Sequence, residues 1–278
     1  MKTCFATVIY KQAQPYLEDF LKSINEQTDK DFELLLFNDN YTAEELDGIH
    51  KRIKKLDVLC RILDLSGMHL SIAGNRIEML GCVKDLGFDL AILGDADDTF
   101  SLNRVELYKK AAELDKTSVF FYNKLVTDKN SDVFKNIPET THSIKQIAQS
   151  NYLGMSTSAI RVRELSDEFL DSLKEGQTPA FDWYLFTRIL MDIGGGRLVE
   201  DAKTIYRIYD NNTVGTTRNI TQEYSVKKTH YECLAERYDY FRYLLENLNQ
   251  INLDKIEPNQ DHQGYWWSDI QLEDSYEI

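Results

Sequence analysis

Three carboxylates fall within four residues at Asp95-Ala96-Asp97-Asp98. Set that closely, carboxylates repel one another unless positive charge sits among them. A hard divalent cation, Mg²⁺ or Mn²⁺, is the natural partner for such an oxygen set, bridging one or two carboxylates to the phosphates of a substrate. The competing reading is a solvated acidic turn ahead of a helix starting near Asn103. The cluster follows the apolar run Asp89-Leu90-Ala91-Ile92-Leu93 directly, which favours a site at the end of a strand.

The surrounding elements must then position those groups. Phe5 to Tyr10 is apolar and β-branched and reads as a buried strand, and Tyr16, Leu17, Phe20, Leu21 and Ile24 recur at helical spacing behind Pro15. Phe32 to Phe37 reads as a second strand ending at Asn38-Asp39-Asn40, and Thr42-Ala43-Glu44-Glu45 has the form of a capping box that opens the next helix. Cys60 to Leu65 is a third strand; Ile72, Ala73, Ile77, Leu80 and Val83 mark a helix that Gly87 ends, and Asp89 to Leu93 is the fourth strand. Strands separated by helices need crossover connections, so the pattern predicts a mainly parallel sheet with helices on both faces. Ligands of such sheets bind beyond the carboxyl ends of the strands, where Tyr10 to Gln12, Asp39 and the acidic cluster converge.

The second half is less regular. Ser118 to Tyr122 and Ser156 to Ile160 read as strands, Phe181 to Met191 as a helix ended by Gly194-Gly195-Gly196, and Thr204 to Tyr209 as a late strand. Tyr231, Leu234, Tyr238, Phe241 and Leu245 keep helical spacing, which predicts one long amphipathic helix from Tyr224 to Leu248. Its readings are packing on the main domain, a homodimer contact, or a peripheral touch on a membrane surface, the last weakened by its mixed charges.

The 278 residues hold only four prolines and no linker-like stretch, so one continuous unit is expected. With 46 acidic and 32 basic residues the formal charge is −14, which disfavours nucleic acid as a partner. The scattered Cys4, Cys60, Cys82 and Cys233 suggest reduced thiols and hence a cytoplasmic location. No apolar stretch approaches the ~18–20 residues needed to span a bilayer, so membrane contact would be peripheral at most, at the inner face.

Six segments, in order, resemble the family-two inverting glycosyltransferases with a GT-A fold. Tyr16 to Thr28 is similar to that family's first helix and Asp31 to Asn40 to its second strand. Ala73-Gly74-Asn75-Arg76 resembles the Ala-Arg-Asn segment, and Leu93-Gly94-Asp95-Ala96-Asp97-Asp98 resembles Leu-Asp-x-Asp-Asp with Gly94 added. Phe181 to Arg188 is similar to the Glu-Asp helix, with Phe181 in place of the acid, and Tyr206-Arg207-Ile208-Tyr209-Asp210-Asn211-Asn212 to the closing Tyr-Arg-x-His-x-x-Asn strand. The family's Pro-Thr-Tyr-Asn is replaced by Ile9-Tyr10-Lys11-Gln12.

The resemblance implies a Rossmann-like α/β sheet flanked by helices, with residues 1–98 as nucleotide-sugar half, 99–215 as acceptor half and 216–278 as a C-terminal helical extension. It implies transfer of a sugar from a nucleotide-diphosphate donor, UDP by analogy, to a carbohydrate or glycolipid acceptor with inversion, in bacterial surface polysaccharide or glycoconjugate synthesis. Tyr10, Gln12, Asp39, Asn75 and Asp95 would bind the nucleotide sugar. Asp97 would be the main ligand of Mn²⁺ or Mg²⁺, with Asp98 a second ligand or its neighbour, and Asp182 would take the acceptor's proton.

Each role has a plainer rival. Asp39 could cap the helix at Thr42, Asn75 could be an ordinary helical polar residue, and Asp182 could simply complement its helix dipole. Arg188 and Arg207 read as surface ion pairs rather than phosphate contacts. The tail aromatics of Gly264-Tyr265-Trp266-Trp267 either anchor the tail or stack on a sugar. Two rival functions are a phosphatase of the haloacid-dehalogenase type, reading Asp95-Ala96-Asp97-Asp98-Thr99 as its Asp-x-Asp-x-Thr, and a non-catalytic nucleotide- or carbohydrate-binding module.

Overall fold

Period-two alternation in the first strands puts their side chains into two separate cores. In β1 (Thr3–Tyr10), Cys4 and Ala6 enter one core while Phe5 and Ile9 enter the other; in β2 (Glu33–Asp39), Leu35 and Phe37 part from Leu34 and Leu36 in the same way. Both faces of the sheet are therefore covered. The computed structural model describes residues 1–173, 178–207, 219–256 and 263–277.

The remaining strands are β3 (Leu59–Asp64), β4 (Leu90–Leu93), β5 (Thr99–Phe100), β6 (Phe120–Thr127), β7 (Thr140–Thr141), β8 (Ser158–Ile160) and β9 (Gly196–Tyr206). They form one mixed sheet in the order β3-β2-β1-β4-β8-β6-β9-β5, with β7 paired to β9. The four strands of the first half are mutually parallel, the arrangement of one half of a doubly wound sheet. Antiparallel pairs enter beyond β4, where β8 lies between β4 and β6.

The helices α1 (Leu17–Asn25), α2 (Ala43–Ile53) and α4 (Arg104–Leu114) cover one face with Leu17, Phe20, Ile49, Val105 and Tyr108. The other face is packed by α3 (Ile72–Asp85), the short α5 (Asp167–Asp171) and α6 (Phe181–Asp192), together with α7 (Ile220–Ala235) and α8 (Asp239–Gln250). The capping box of α2 is formed: Glu45 N–H donates to Thr42 Oγ1 at 3.3 Å and Thr42 N–H to Glu45 Oε2 at 2.7 Å. Past α3, Gly87 takes a φ of 75°, the left-handed turn that ends the helix.

Two expectations are corrected. The single helix from Tyr224 to Leu248 is two, because Tyr238 is extended and its side chain is tied elsewhere. The Tyr238 hydroxyl donates to Asp192 at 2.6 Å and accepts from Arg188 Nε at 3.0 Å, which holds the break against α6. Both helices bury their apolar faces in the same core as α6, through Tyr231, Leu234, Phe241 and Leu244, so the packing reading of this region holds. The late strand begins at Gly196 rather than Thr204, so the last glycine of the run belongs to the strand; Ile208 and Tyr209 lie outside the described residues.

Candidate active site

The carboxyl ends of β1 and β2 lie side by side, with Tyr10 in register with Asp39. The buried Asn38 makes the turn beyond β2: its Oδ1 accepts from Tyr41 N–H at 2.8 Å and its Nδ2 donates to Asp64 at 2.8 Å. Thr42 caps α2 itself, so the helix-capping reading of Asp39 is wrong. Asp39 is half-buried and accepts from Asn40, while Gln12 is exposed on the turn that follows β1.

Beyond β4 the backbone of Gly94 passes under two rings. A Cβ there would lie 2.6 Å from the Phe100 ring and 2.7 Å from the Phe5 ring, so a side chain has no room. That close approach explains the glycine inserted before the first aspartate. Asp98 N–H then donates to Asp95 C=O at 3.2 Å, closing a turn that aligns the three carboxylates at the sheet end.

Asp98 is only 2% exposed. Its oxygens accept from Ser156 Oγ at 2.5 Å and from Arg207 N–H at 3.2 Å, while Asp95 N–H donates to the same Ser156 Oγ at 3.2 Å. Arg207 also donates to Asp97 C=O at 3.1 Å and to Asp19 at 2.8 Å, with its guanidinium 4.7 Å from the Tyr16 ring centroid. Beneath the cluster the buried Arg104 donates to Leu93 C=O and Ser156 C=O, each at 2.8 Å, fixing β4 against the segment before β8. The solvated-turn reading therefore fails for Asp98.

Burial, reinforced by the charges of Asp95 and Asp97, pushes the Asp98 carboxyl well above the usual range despite those hydrogen bonds. Burial likewise pushes Asp95 up to about 6; Arg76 opposes the shift, and Asp97 and Asp182 add to it. The part of each shift that comes from the neighbouring carboxylates is one that a positive ion among them would relieve.

Arg76 links this cluster to α6. It follows the buried Asn75 on α3, whose first turn is capped by Ser71 Oγ accepting from Gly74 N–H at 3.0 Å. One arm of its guanidinium lies 3.3 Å from Asp95 and the other is ion-paired with Asp182. Burial works against the Arg76 charge, but Asp182 and Asp95 outweigh it and raise its pKa. Tyr10 also lies within electrostatic reach of this guanidinium, which places the end of β1 beside the same site.

Asp182 stands in the first turn of α6, yet its hydrogen bonds leave the helix. Its Oδ2 accepts from Met155 N–H at 2.9 Å, and Oδ1 contacts Arg76. A role confined to the helix dipole would require neither partner. Phe181, where an acid was the expectation of resemblance, packs into the core.

The structure thus brings together Asp95, Asp97, Asp98 and Asp182, with Asn75 and Tyr10 alongside and Asp39 and Gln12 at the same sheet end. Among the described residues no group of three or more His, Cys, Asp or Glu is arranged to hold a metal. A cation of the Mg²⁺ or Mn²⁺ type needs only one or two carboxylates, with phosphate and water completing its shell. The half-exposed Asp97 and Asp95 fit that demand. Asp98 fits less well as a direct ligand, because it is almost fully buried with its oxygens turned to Ser156 and Arg207 N–H.

Sequence reasoning passed over Arg76, Ser156 and Arg104. Arg76 had a signal, adjacency to Asn75 in a segment already singled out; Ser156 and Arg104 act through distant partners and had none. Arg188 is corrected: it is 2% exposed, not a surface residue, and bonds Asp192, Tyr184, Ser172 and Tyr238 inside the core. Arg207 does form an ion pair, with Asp19, but its backbone and guanidinium also belong to the acidic cluster.

The family described as Glycosyl transferase family 2 matches residues 4–168. A sequence comparison with curated proteins finds no match. Among solved structures, S. aureus TarS 1-349 in complex with UDP-GlcNAc is similar at a TM-score of 0.59 and 17% identity, over 90% of this chain and 72% of that one. The mannosyltransferase PcManGT from Pyrobaculum calidifontis, in complex with GDP-Man and Mn²⁺, is similar at 0.55 and 12% identity, over 85% of this chain and 65% of that one. GalNAc-T7 with UDP, GalNAc and Mn²⁺ is similar at 0.57 and 12% identity, over 92% of this chain and 52% of that one. At these identities the likeness establishes a shared GT-A fold.

Proposed function

The chain belongs to glycosyl transferase family 2, and from that premise we propose that it moves a sugar from a nucleotide-diphosphate donor, a UDP-sugar, to a carbohydrate or glycolipid hydroxyl with inversion. Membership of that family also removes the phosphatase reading of Asp95 and Asp97. The observation that carries the proposal is the Arg76 bridge. It joins the acidic cluster at the end of β4 to Asp182, so that donor-side and acceptor-side carboxylates face one guanidinium.

In this reading residues 1–98 hold the donor, 99–215 the acceptor, and 216–278 extend the domain. Tyr10, Gln12, Asp39 and Asn75 line the nucleotide side, with Asp39 and Asp95 accepting hydrogen bonds from the base or ribose. Asp97 would hold a divalent cation, with Asp95 close by and Asp98 supporting from behind through Ser156 and Arg207. When bound, that ion offsets the negative charge that develops on the departing diphosphate.

Asp182 accepts the proton of the acceptor hydroxyl as its oxygen attacks the anomeric carbon. The bond from that carbon to the diphosphate oxygen breaks, and the electron pair leaves with the diphosphate. A single attack from the opposite side inverts the anomeric centre. Positioning comes from Met155 N–H and Arg76, which fix both oxygens of the base. UDP is favoured because two of the three similar structures named above hold UDP or UDP-GlcNAc, against GDP-Man in the third. We assign the reaction to the assembly of bacterial surface polysaccharide or glycoconjugate, at a cytoplasmic site with at most peripheral contact with the membrane; among the described residues no helix is long and apolar enough to cross one.

Thermal unfolding with a panel of UDP- and GDP-sugars and Mn²⁺ tests this reading. A ligand at a hundred times its Kd stabilises the folded chain by about 2.7 kcal/mol, enough to raise the midpoint by several degrees. At least one nucleotide sugar should do so only with the metal. A flat response across the whole panel would contradict the donor site.

A further inference from the structure

The C-terminal tail returns to the candidate base. Trp266 pairs with Asn151 through two backbone hydrogen bonds of 2.9 Å each, just ahead of Gly154 and Met155. A Cβ placed on Gly154 would lie 3.3 Å from Trp266 Cη2 and 3.6 Å from Asp182 Oδ2. The edge of the indole and the carboxylate of the base thus border the same small space. The indole is partly exposed, like that of its neighbour Trp267, whereas Trp183 is fully buried.

The indole is also firmly supported. Phe134 meets it edge-on with ring centroids 4.7 Å apart, and Tyr265 packs on Tyr152 and Phe134 beside it. Farther along, Leu272 N–H donates to Gln149 at 2.6 Å, and Ile270 N–H to the buried Glu223 at 2.8 Å. The buried Lys227 donates to Gln149 C=O at 2.6 Å and also to Ile270 C=O. Trp267 adopts a φ of 60°, a conformation bulky residues rarely take, which turns the chain away immediately after Trp266. Anchoring the tail accounts for these backbone and side-chain bonds; it does not account for an indole that stays partly exposed beside a carboxylate.

We propose that Trp266 is the stacking platform of a carbohydrate acceptor subsite. The apolar C–H face of a pyranose rests on the indole, and a ring hydroxyl is presented to Asp182. An aromatic face disfavours an anion but accepts the apolar face of a sugar ring, and it leaves the equatorial hydroxyls free for polar partners. The assignment rests on the donor-plus-base reading above and adds the position of the acceptor ring and the residue that holds it.

The test titrates methyl glycosides of glucose, galactose, N-acetylglucosamine and rhamnose into the full chain with UDP and Mn²⁺, following tryptophan emission and heat of binding. At least one glycoside should bind the wild type saturably. Trp266→Ala should weaken it at least tenfold, Trp266→Phe should hold it within about threefold, and both should leave UDP affinity unchanged. A Trp266→Ala chain that fails to fold leaves the comparison to Trp266→Phe and Trp266→Leu, of which only the phenylalanine should retain binding. Glycoside affinity equal in all variants, or no glycoside binding to a wild type that binds UDP, overturns the platform and leaves the donor site standing. A wild type that binds no UDP overturns the reading beneath both.

Discussion

Arg76 on α3 is ion-paired with Asp182 on α6 across 106 positions of sequence, and its other arm lies 3.3 Å from Asp95. One cation thereby sets the separation between the acidic cluster of β4 and the candidate base. Both carboxylates share this one guanidinium.

The first prediction follows from that coupling. Arg76→Ala should lower sugar transfer about a hundredfold, the scale of misplacing a catalytic group by an ångström. Asp182→Asn should lower it by roughly 10²–10⁴. In the double variant the two losses should not add, since both remove one unit. Steady-state rates of the three variants give the answer, and fully additive losses would separate Arg76 from the base.

Ser156 is the second target. Its hydroxyl donates to the buried Asp98 at 2.5 Å and accepts from Asp95 N–H at 3.2 Å. Ser156→Ala leaves a buried carboxylate short of a donor, at a cost of about 1–3 kcal/mol. Urea unfolding should show that loss together with weaker metal-supported UDP binding. A stability within about 0.5 kcal/mol of the wild type, which is ordinary surface behaviour, would mean the bond does little.

Gly94 supplies a purely steric prediction. An alanine methyl would meet the Phe5 and Phe100 rings below 3 Å, and overpacking of this kind costs about 1–3 kcal/mol. Adding Phe100→Leu should restore part of the loss by opening space. Gly94→Ala with an unchanged melting temperature would refute the contact.

These residues also show what the sequence could and could not reveal. The parallel first half was legible because Leu34 to Phe37 and Leu90 to Leu93 are continuous apolar runs between helical patterns, and because Thr42 and Glu45 announce a helix start. Asp95, Asp97 and Asp98 were legible as a group because their mutual repulsion demands an explanation wherever they lie. Arg104 and Ser156 were not, since each gains its role from partners such as Asn123, Leu93 and Asp98 that only the fold brings near. The break at Tyr238 was hidden for the same reason: apolar spacing continues through it, and a hydroxyl bond to Asp192 decides the matter. Helical periodicity reports which face is buried, not whether the axis is unbroken.

His230 gives a pH prediction. It is fully buried and stacked on Trp183 at 3.9 Å, and among the described residues neither ring nitrogen has a hydrogen-bond partner. Burial, helped by the Lys227 charge, pushes its pKa down to about 3. The unfolded chain, with an ordinary histidine near 6.5, binds the extra proton between those values. Stability is therefore intact above about pH 6.5 and falls with pH toward 3, with a slope approaching 1.4 kcal/mol per pH unit from this group. Unfolding free energies of wild type and His230→Phe between pH 7 and 4 should diverge in that sense, the variant losing less. Parallel curves would show that His230 does not titrate in this way.

The central claim is a donor site at the acidic cluster with a separate base at Asp182, and one paired measurement addresses it most directly. UDP binding in the presence of Mn²⁺ is measured by calorimetry, and UDP release is followed with the UDP-sugar that stabilises the chain best, for wild type, Asp97→Ala and Asp182→Asn. The account predicts that Asp97→Ala loses metal-supported binding, whereas Asp182→Asn binds UDP like the wild type and releases almost none from the sugar donor. Normal UDP release by both variants would contradict it.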